Sequence, residues 1–559
     1  MTAQAWWQQA VIYQVYPRSF ADSNGDGIGD LPGVIEHLPY IAGLGVDAVW
    51  LSPFFDSPQR DIGYDVSDYR DVAPEYGTLD DAQRLIDRCH ELGLKVVFDL
   101  VLNHTSDEHP WFLESRSSRD NPKADWYVWA DGGTDRRGRP TPPNNWRSEL
   151  MLPRAWQWGE ERRQWYLATF LSFQPDLNWH NPEVEAEMTD MIRMWLGRGV
   201  DGFRLDIFHA IMHDAELRPN RLRPQFRSGL PRLDEPVHTL NTEENYALAQ
   251  RLHAVCDEFE GDRALLGEVF GNPSELRRYV DDDGREGLHL VFLFDFLASP
   301  YRAGAYRKLI RRFEKEYPAP HVPTYVLENH DRQRSLTGLG GDLRKARVMA
   351  TLLCTLRGTS VIYQGQEIGM TNRYIPLRDA NDPVPGVVAR YLPEWLHARL
   401  PERLNRDEVR VPMQWNGRPG AGFTEAGVTP WLPFHEDHVS VNVEAEEANP
   451  DSLLRWYREL LELRRSSRAL RTGTLELFDT HPDVIAYERA ATSAGGAAGA
   501  DGVPGDDAER LLVVANLGEA EVVHPVHRGE AAAVSDSAVA VTDSSVTLAP
   551  DSAAVLRLG

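Results

Sequence analysis

Cysteine is scarce in this 559-residue chain: Cys89, Cys256 and Cys354 are widely spaced and odd in number. That argues against a disulfide framework and fits a reducing compartment. Positive charge is also short, with 59 Lys and Arg against 85 Asp and Glu and a formal charge of −26. Such an imbalance argues against nucleic acid or an anionic membrane surface as partner, and points to a neutral or cationic substrate. No segment approaches the roughly 20 apolar residues of a membrane span. The stretch Met1-Thr-Ala-Gln-Ala-Trp-Trp-Gln-Gln-Ala10 lacks a basic region followed by an apolar core. The expectation is a soluble cytoplasmic protein, although a mature secreted chain stripped of its signal reads the same way. Oligomeric state is not readable.

What the chain does have is a set of short apolar runs that each end in a polar group. Asp201-Gly-Phe-Arg-Leu-Asp-Ile-Phe208 places Arg204 and Asp206 two residues apart, a spacing that in a strand aims both at one face. A neighbouring guanidinium favours the ionised carboxylate, and a positioned carboxylate can act as a nucleophile. An isolated Arg-x-Asp is ordinarily a structural ion pair. Here Leu265-Leu-Gly-Glu-Val-Phe270 presents Glu268, Tyr325-Val-Leu-Glu-Asn-His-Asp331 presents His330 and Asp331, and Leu94-Lys-Val-Val-Phe-Asp-Leu-Val-Leu-Asn-His104 ends in Asn103 and His104. Strand ends that each deliver a reactive group are what the C-terminal face of a (β/α)8 barrel looks like in sequence.

Together the four segments resemble the four signature regions of the α-amylase superfamily of glycoside hydrolases, over nearly the whole chain. The resemblance implies an α/β fold: a (β/α)8 TIM barrel with a small domain inserted after the third strand and a C-terminal antiparallel β-sandwich. The barrel is expected over residues 1–104 and 177–470, with a subdomain at 371–415. The aperiodic stretch 105–176 is the inserted domain and 471–559 the C-terminal one.

Within that frame, Val11–Tyr16 reads as the first strand, Leu31–Leu44 as an interrupted helix and Ala48–Leu51 as the second strand. Helices are expected over Asp80–Leu92, Pro182–Leu196, Tyr246–Phe259 and Leu453–Arg468, and strands at Val96–Leu102, Leu265–Val269, His289–Asp295 and Val322–Leu327. Val361–Gly369 resembles the last barrel strand, with Gln366 where a glutamate is more usual. Asp214–Asn245 reads as a Pro- and Arg-rich loop, and Ala491–Asp507 as a Gly/Ala-rich hairpin loop.

The run Asp22-Ser-Asn-Gly-Asp-Gly-Ile-Gly-Asp30 separates hard oxygens by glycines, which suits Ca²⁺ or Mg²⁺; an Asx-Gly turn is the plain alternative. It lacks the late glutamate of an EF-hand loop, Gly33 standing there. The resemblance implies a structural ion, Ca²⁺ with Mg²⁺ possible, held by Asp22, Asn24, Asp26, Asp30 and the Ile28 carbonyl.

The resemblance also assigns the first sugar subsite. Asp61 and Tyr64 floor it, His104 bonds the 6-hydroxyl, Phe170 and Gln174 border the sugar, and Asp99 supports the site or the metal loop. Arg410 pairs with Asp61 and walls off the nonreducing end, which implies exo-action on short substrates. The family's Asn-Asn-Trp followed by Phe is replaced by Asn144-Asn-Trp-Arg-Ser-Glu-Leu150, a departure at the outer subsites.

The implied mechanism is retention through a covalent glycosyl intermediate. Asp206, held ionised by Arg204, attacks; Glu268 gives and later recovers a proton; Asp331 with His330 binds hydroxyls of the flattening ring. No redox or phosphate cofactor is implied. The leading expectation is an α-glucosidase acting on small neutral oligosaccharides of the maltose, isomaltose or sucrose type. Its rival is a sucrose or maltose isomerase or transglucosylase using the same carboxylates. A non-catalytic transporter-associated relative fits poorly, since such chains carry a membrane span and commonly lose the acids. Ile207, after the nucleophile, is bulky and leans toward α-1,6 linkages.

Overall fold

The structure, a computed structural model, describes residues 4–150, 154–227, 230–384, 394–397, 405–491 and 509–559. Eight parallel strands form its centre: β1 Val11–Val15, β2 Ala48–Leu51, β3 Lys95–Leu100, β4 Gly202–Leu205, β5 Ala264–Gly267, β6 Leu290–Val291, β7 Thr324–Val326 and β8 Thr359–Tyr363. Their order is β6-β5-β4-β3-β2-β1-β8-β7, and a parallel bridge between Phe292 and Thr324 joins the two ends. The result is the expected barrel.

Apart from Lys95 at the start of β3, the residues of β1, β2 and β3 are all buried, so these strands read as nearly continuous apolar runs where a half-exposed sheet would alternate. Alternation survives as a choice between two interiors. Ile12, Ala48, Trp50, Val97, Leu266 and Val361 fill the barrel, whereas Val11, Tyr13, Val49 and Leu51 pack outward against helices. Those helices are α1 Leu31–Leu44, α2 Leu79–Glu91, α3 Pro182–Gly197, α4 Glu243–Cys256, α5 Pro273–Val280, α6 Ala303–Glu316, α7 Leu343–Thr355 and α8 Leu453–Ser466. Helix α1 begins where Asp30 accepts the Gly33 N–H and ends at Gly45 with φ 93°, the left-handed C-terminal stop that glycine takes without strain. Helix α2 opens on a Thr78/Asp81 capping box.

Between β3 and α3 lie the helix Pro110–Ser117 and an antiparallel sheet of Trp129–Ala130, Gln164–Leu167 and Trp156–Gly159. Beyond α8, a five-stranded and a three-stranded antiparallel sheet face each other across Val484, Ala486, Leu512, Val514, Val546 and Leu548, as a β-sandwich does. The expected loop over 214–245 contains a ribbon, Arg221–Arg227 paired with Leu230–Glu235. Pro224 and Pro231 hid it, because proline is tolerated only where a strand's N–H needs no ladder partner. The Gly/Ala-rich hairpin loop falls almost wholly outside the described residues, as does part of the 371–415 subdomain. Among the described residues no helix is long and apolar enough to cross a membrane.

Candidate active site

Neighbouring strands β3 and β4 set Asp99 beside Arg204 in register, so both side chains meet on the barrel's inner face. Arg204 is 1% exposed. Its Nη1 lies 2.8 Å from Asp99 Oδ1 and 2.6 Å from Asp206 Oδ1, and its Nη2 lies 2.6 Å from Glu268 Oε2. The guanidinium carbon stands 5.3 Å from the centre of the Trp50 ring. Asp99 also accepts from Trp50 Nε1 at 3.2 Å and from the Tyr64 hydroxyl at 3.3 Å.

Three buried carboxyls therefore share one cation. Burial pushes the Asp206 carboxyl well above its ordinary value; Arg204 pulls it down, and Glu268, Asp99 and Asp331 push it up. Burial likewise carries Asp99 to about 6 against Arg204. This modifies the expectation that Arg204 alone keeps Asp206 ionised. Three carboxyls facing one guanidinium leave negative charge in excess, which together with burial disfavours the ionised forms of Asp206 and Asp99; an acid and a base divided between like groups is what glycosidic cleavage requires.

His330 and Asp331 follow β7. Gln14 Nε2 lies 2.7 Å from His330 Nδ1, and His330 Nε2 faces the Tyr64 hydroxyl at 2.6 Å and Asp331 Oδ2 at 3.1 Å. With the amide donating to Nδ1, the ring proton sits on Nε2, where it faces the Tyr64 hydroxyl and Asp331, and the Tyr64 hydroxyl in turn donates to Asp99. Burial holds His330 below its ordinary value, against the pull of Asp331. Burial raises Asp331, but His330, Arg406 and Arg410 outweigh it and hold the carboxyl well below the usual range.

The arginine that meets Asp61 is Arg406, not Arg410. Arg406 Nη2 lies 2.9 Å from Asp61 Oδ1 and 2.7 Å from Asp382 Oδ1, and Nη1 reaches Asp331 Oδ1 at 3.3 Å. Arg410 Nη2 instead pairs with Asp331 Oδ1 at 2.6 Å, and its Nε donates to the His330 carbonyl at 2.9 Å. The two arginines flank one short helical turn, Arg406–Val409. One turn of helix separates their reach, and the spacing Arg-x-x-x-Arg was the signal that sequence reading passed over. Asp382 and Gln14 were missed as well; Asp382 sits in a stretch without periodicity or motif, and Gln14 is a lone polar residue inside the run read as the first strand.

Asp61 is also held by Gln174, whose Nε2 donates to Oδ2 at 2.8 Å. His104, expected to bond the sugar's 6-hydroxyl, is 2% exposed and donates from Nε2 to the Tyr64 carbonyl at 3.1 Å. Burial takes His104 down to about 4. Phe170 lies 5.8 Å from the His104 ring and packs with Ile207, Ala210 and Leu240. The expected pocket residues Asp61, Tyr64, His104, Phe170, Gln174, Arg204, His330 and Arg410 thus link through direct contacts to Asp206, Glu268 and Asp331.

The Asp22–Asp30 loop curls through successive Asx turns: Asp22 Oδ1 accepts from Gly25 N at 2.8 Å, Asn24 Oδ1 from Asp26 N at 2.9 Å, and Asp26 Oδ1 from Ile28 N at 2.8 Å. Asp30 caps α1 and accepts from Ser23. Asn24 Oδ1 and Asp26 Oδ1 each retain a second lone pair, whereas both Asp22 oxygens and Asp30 Oδ2 each accept two protein hydrogen bonds; in type, these hard oxygens suit a hard cation. Among the described residues no three His, Cys, Asp or Glu side chains form a metal cluster by themselves; the expected set mixes carboxylates with an amide and a backbone carbonyl.

A cavity of about 1070 Å³ lies alongside, lined by residues that directly follow the acids: Val269 and Phe270 after Glu268, Arg332 and Gln333 after Asp331. Phe270, Phe294 and Phe292 line it as a near-parallel stack, with ring centres 5.1 and 5.4 Å apart.

With this geometry in hand, similarity to known proteins gains meaning. The family model for the α-amylase catalytic domain matches residues 14–473. A probable α-glucosidase of Rhizobium meliloti is 44% identical over 501 residues, 87% of this chain and 87% of its own. Among solved structures, an α-glucosyl transfer enzyme is 39% identical with a TM-score of 0.85, covering 99% of this chain and 100% of that one. The trehalulose synthase of Pseudomonas mesoacidophila MX-45 is 32% identical with a TM-score of 0.85, covering 99% of both.

Proposed function

The chain belongs to the α-amylase superfamily, close to its α-glucosidase and oligo-1,6-glucosidase branch, and from that premise we propose that it is a retaining α-glucosyl transfer enzyme acting on short α-glucosides. The observation that carries this reading is the cavity beside the acids. Its phenyl stack sets a broad aromatic face beside the segment that carries Glu268, with Asn241, Asp295 and Gln333 among its polar lining, a mixture suited to the apolar face and the hydroxyls of an acceptor sugar. The solved relatives support it, one being a glucosyl transfer enzyme and another a trehalulose synthase.

In the first half-reaction Asp206 attacks the anomeric carbon, the glycosidic bond breaks and the leaving oxygen takes the proton of Glu268. In the second, Glu268 withdraws a proton from an acceptor hydroxyl, which displaces Asp206 and restores the α-linkage. One guanidinium holds both carboxyls, which fits the close pair of retaining enzymes, about 5–5.5 Å apart, better than the wider pair of inverting ones. Asp331, ionised by His330 and the two arginines, faces the sugar's hydroxyls. Arg406 with Asp61 closes the nonreducing end and limits the donor to a terminal glucosyl unit. Ile207 favours α-1,6 over α-1,4 donors. We further propose that the Asp22–Asp30 loop holds Ca²⁺ as a structural ion, and that the protein works in the cytoplasm.

Terminal glucose release is the second reading, favoured by the relative described as a probable α-glucosidase. Incubation with maltose, isomaltose and sucrose separately, with products resolved over time by anion-exchange chromatography, decides between them. New di- and trisaccharides forming faster than free glucose are expected. Stoichiometric glucose with no new saccharide would leave hydrolysis as the function.

A further inference from the structure

Asp176 lies outside every role assigned above, yet its carboxyl is 2% exposed and gathers three donors. Oδ1 accepts from Asn103 Nδ2 at 3.2 Å and from the Thr169 backbone N–H at 3.0 Å, and Oδ2 accepts from the Thr169 hydroxyl. Asn103 and Thr169 each immediately precede a pocket residue, His104 and Phe170, whose rings face each other. Building on the reading of the site given above, we infer that Asp176 is a positioning residue of the glucosyl pocket, holding His104 through Asn103 and Phe170 through Thr169.

The backbone around Asp176 is already fixed without its side chain. Leu177 N donates to Asn103 O at 2.9 Å, Asp176 N to Leu167 O at 2.9 Å, and Val128 N to Asp176 O at 3.2 Å. A carboxyl in so dry a place therefore does something the main chain does not. Burial pushes it to about 7 against the bonds from Thr169 and Asn103, so the fold retains a costly group at this position. What that group supplies is acceptor capacity. An asparagine there has one acceptor oxygen and two N–H donors of its own, which conflict with three incoming donors.

The path to His104 is specific. Asn103 turns its Nδ2 toward both Asp176 Oδ1 and His104 Nδ1, the latter at 3.2 Å, and leaves its Oδ1 buried without a partner. An amide so oriented requires an accepting Nδ1 on His104, hence a proton on Nε2, which is the atom donating to Tyr64 O. Asp176 thus sets the Asn103 amide, and the amide sets the histidine tautomer.

The test compares KM and kcat on p-nitrophenyl α-glucoside for the wild type, Asp176→Asn, Thr169→Val and His104→Ala, together with the Asp176→Asn/His104→Ala double variant. Asp176→Asn is expected to raise KM about tenfold with kcat within about threefold, consistent with losing a hydrogen bond to a charged group. In the His104→Ala background the same change is expected to raise KM only about threefold, since contacting residues couple. Thr169→Val, near-isosteric, is expected to raise KM about threefold and serves if Asp176→Asn does not fold. An equal KM effect in both backgrounds, or a Thr169→Val enzyme with wild-type KM, overturns the inference. A wild type inert on the aryl glucoside overturns the reading of the whole site, and the inference with it.

Discussion

The backbone N–H of Ile207 donates to Glu268 Oε2 at 3.2 Å, from a residue held at φ 38° and ψ 40°. A β-branched residue in the left-handed region is an outlier, and such strain persists only where the surroundings enforce it. Here the bend after Asp206 brings the next amide to Glu268 and presses the isoleucine side chain against Phe170. Ile207→Ala keeps the amide but shrinks the wall. The ratio of kcat/KM for maltose over isomaltose should rise roughly tenfold, since a methylene discriminates by about 1–3 kcal/mol. An unchanged ratio removes Ile207 from linkage selection.

Glu268→Gln retains the shape of the side chain and cannot serve as the proposed acid. Activity on disaccharides, whose leaving alkoxide needs protonation, should fall by about 10²–10⁴. A dinitrophenyl α-glucoside, whose leaving group departs without help, should still give a burst of dinitrophenol and a slow steady state. Equal losses on both substrates would reassign the acid.

The barrel was legible because buried parallel strands are apolar runs, and because α1 and β2 have sharp ends at Asp30, Gly45 and Leu51. The short β6 was read as His289–Asp295 but pairs only over Leu290–Val291; apolar content marks burial, and does not mark where a ladder stops. Helices α5, α6 and α7 went unassigned, although α5 begins with an Asn272/Glu275 capping box that sequence could have offered. Gln14 apart, the site was legible wherever a strand delivered its residue. Arg406, in a single helical turn, and Asp382 and Asp176 become neighbours of the site only through tertiary packing, and no periodicity announces that.

Arg406 and Arg410 stand four residues apart with different partners, and a pair of double-mutant cycles separates them. Arg406→Ala and Asp61→Ala should couple strongly, the first single variant losing about 10²-fold or more in kcat/KM, because breaking a buried pair costs about 3–5 kcal/mol. Arg410→Ala with Asp61→Ala should couple less strongly, since the two meet only through Arg406 and Asp331. Coupling of Arg410 with Asp61 as strong as that of Arg406 would restore the pairing expected from sequence.

The cation proposed for the Asp22–Asp30 loop is open to test by its effect on stability. Chelation at neutral pH should lower the melting temperature by a few degrees and added Ca²⁺ should restore it, since a ligand at about 100 times its Kd stabilises by about 2.7 kcal/mol. Asp26→Ala should melt at the chelated temperature with or without Ca²⁺. A wild type indifferent to both treatments would leave the loop as an Asx-Gly turn.

Stability in mild acid should be set by opposed buried groups. Burial drives His109, His213 and His289 down to about 3. For a depressed histidine the folded form binds fewer protons than the unfolded one between about 3 and 6.5. Its stabilising effect is complete above 6.5 and is lost as pH falls, by about 1.4 kcal/mol per unit for each group. Asp176 at about 7 and Asp65 at about 6 act in the other direction, the folded state gaining protons as pH falls toward 4. The whole-protein profile is therefore flatter than any one term, and a single replacement is needed to expose it. His109 caps the helix Pro110–Ser117 by accepting the Trp111 N–H at 3.1 Å, and its Nε2 is buried without a partner. His109→Asn retains a capping acceptor and removes the imidazole. Its urea midpoint should match the wild type near pH 7.5 and exceed it progressively as pH falls from 6.5 to 5. Midpoints that run parallel across that range would mean that His109 takes up its proton without cost to the fold.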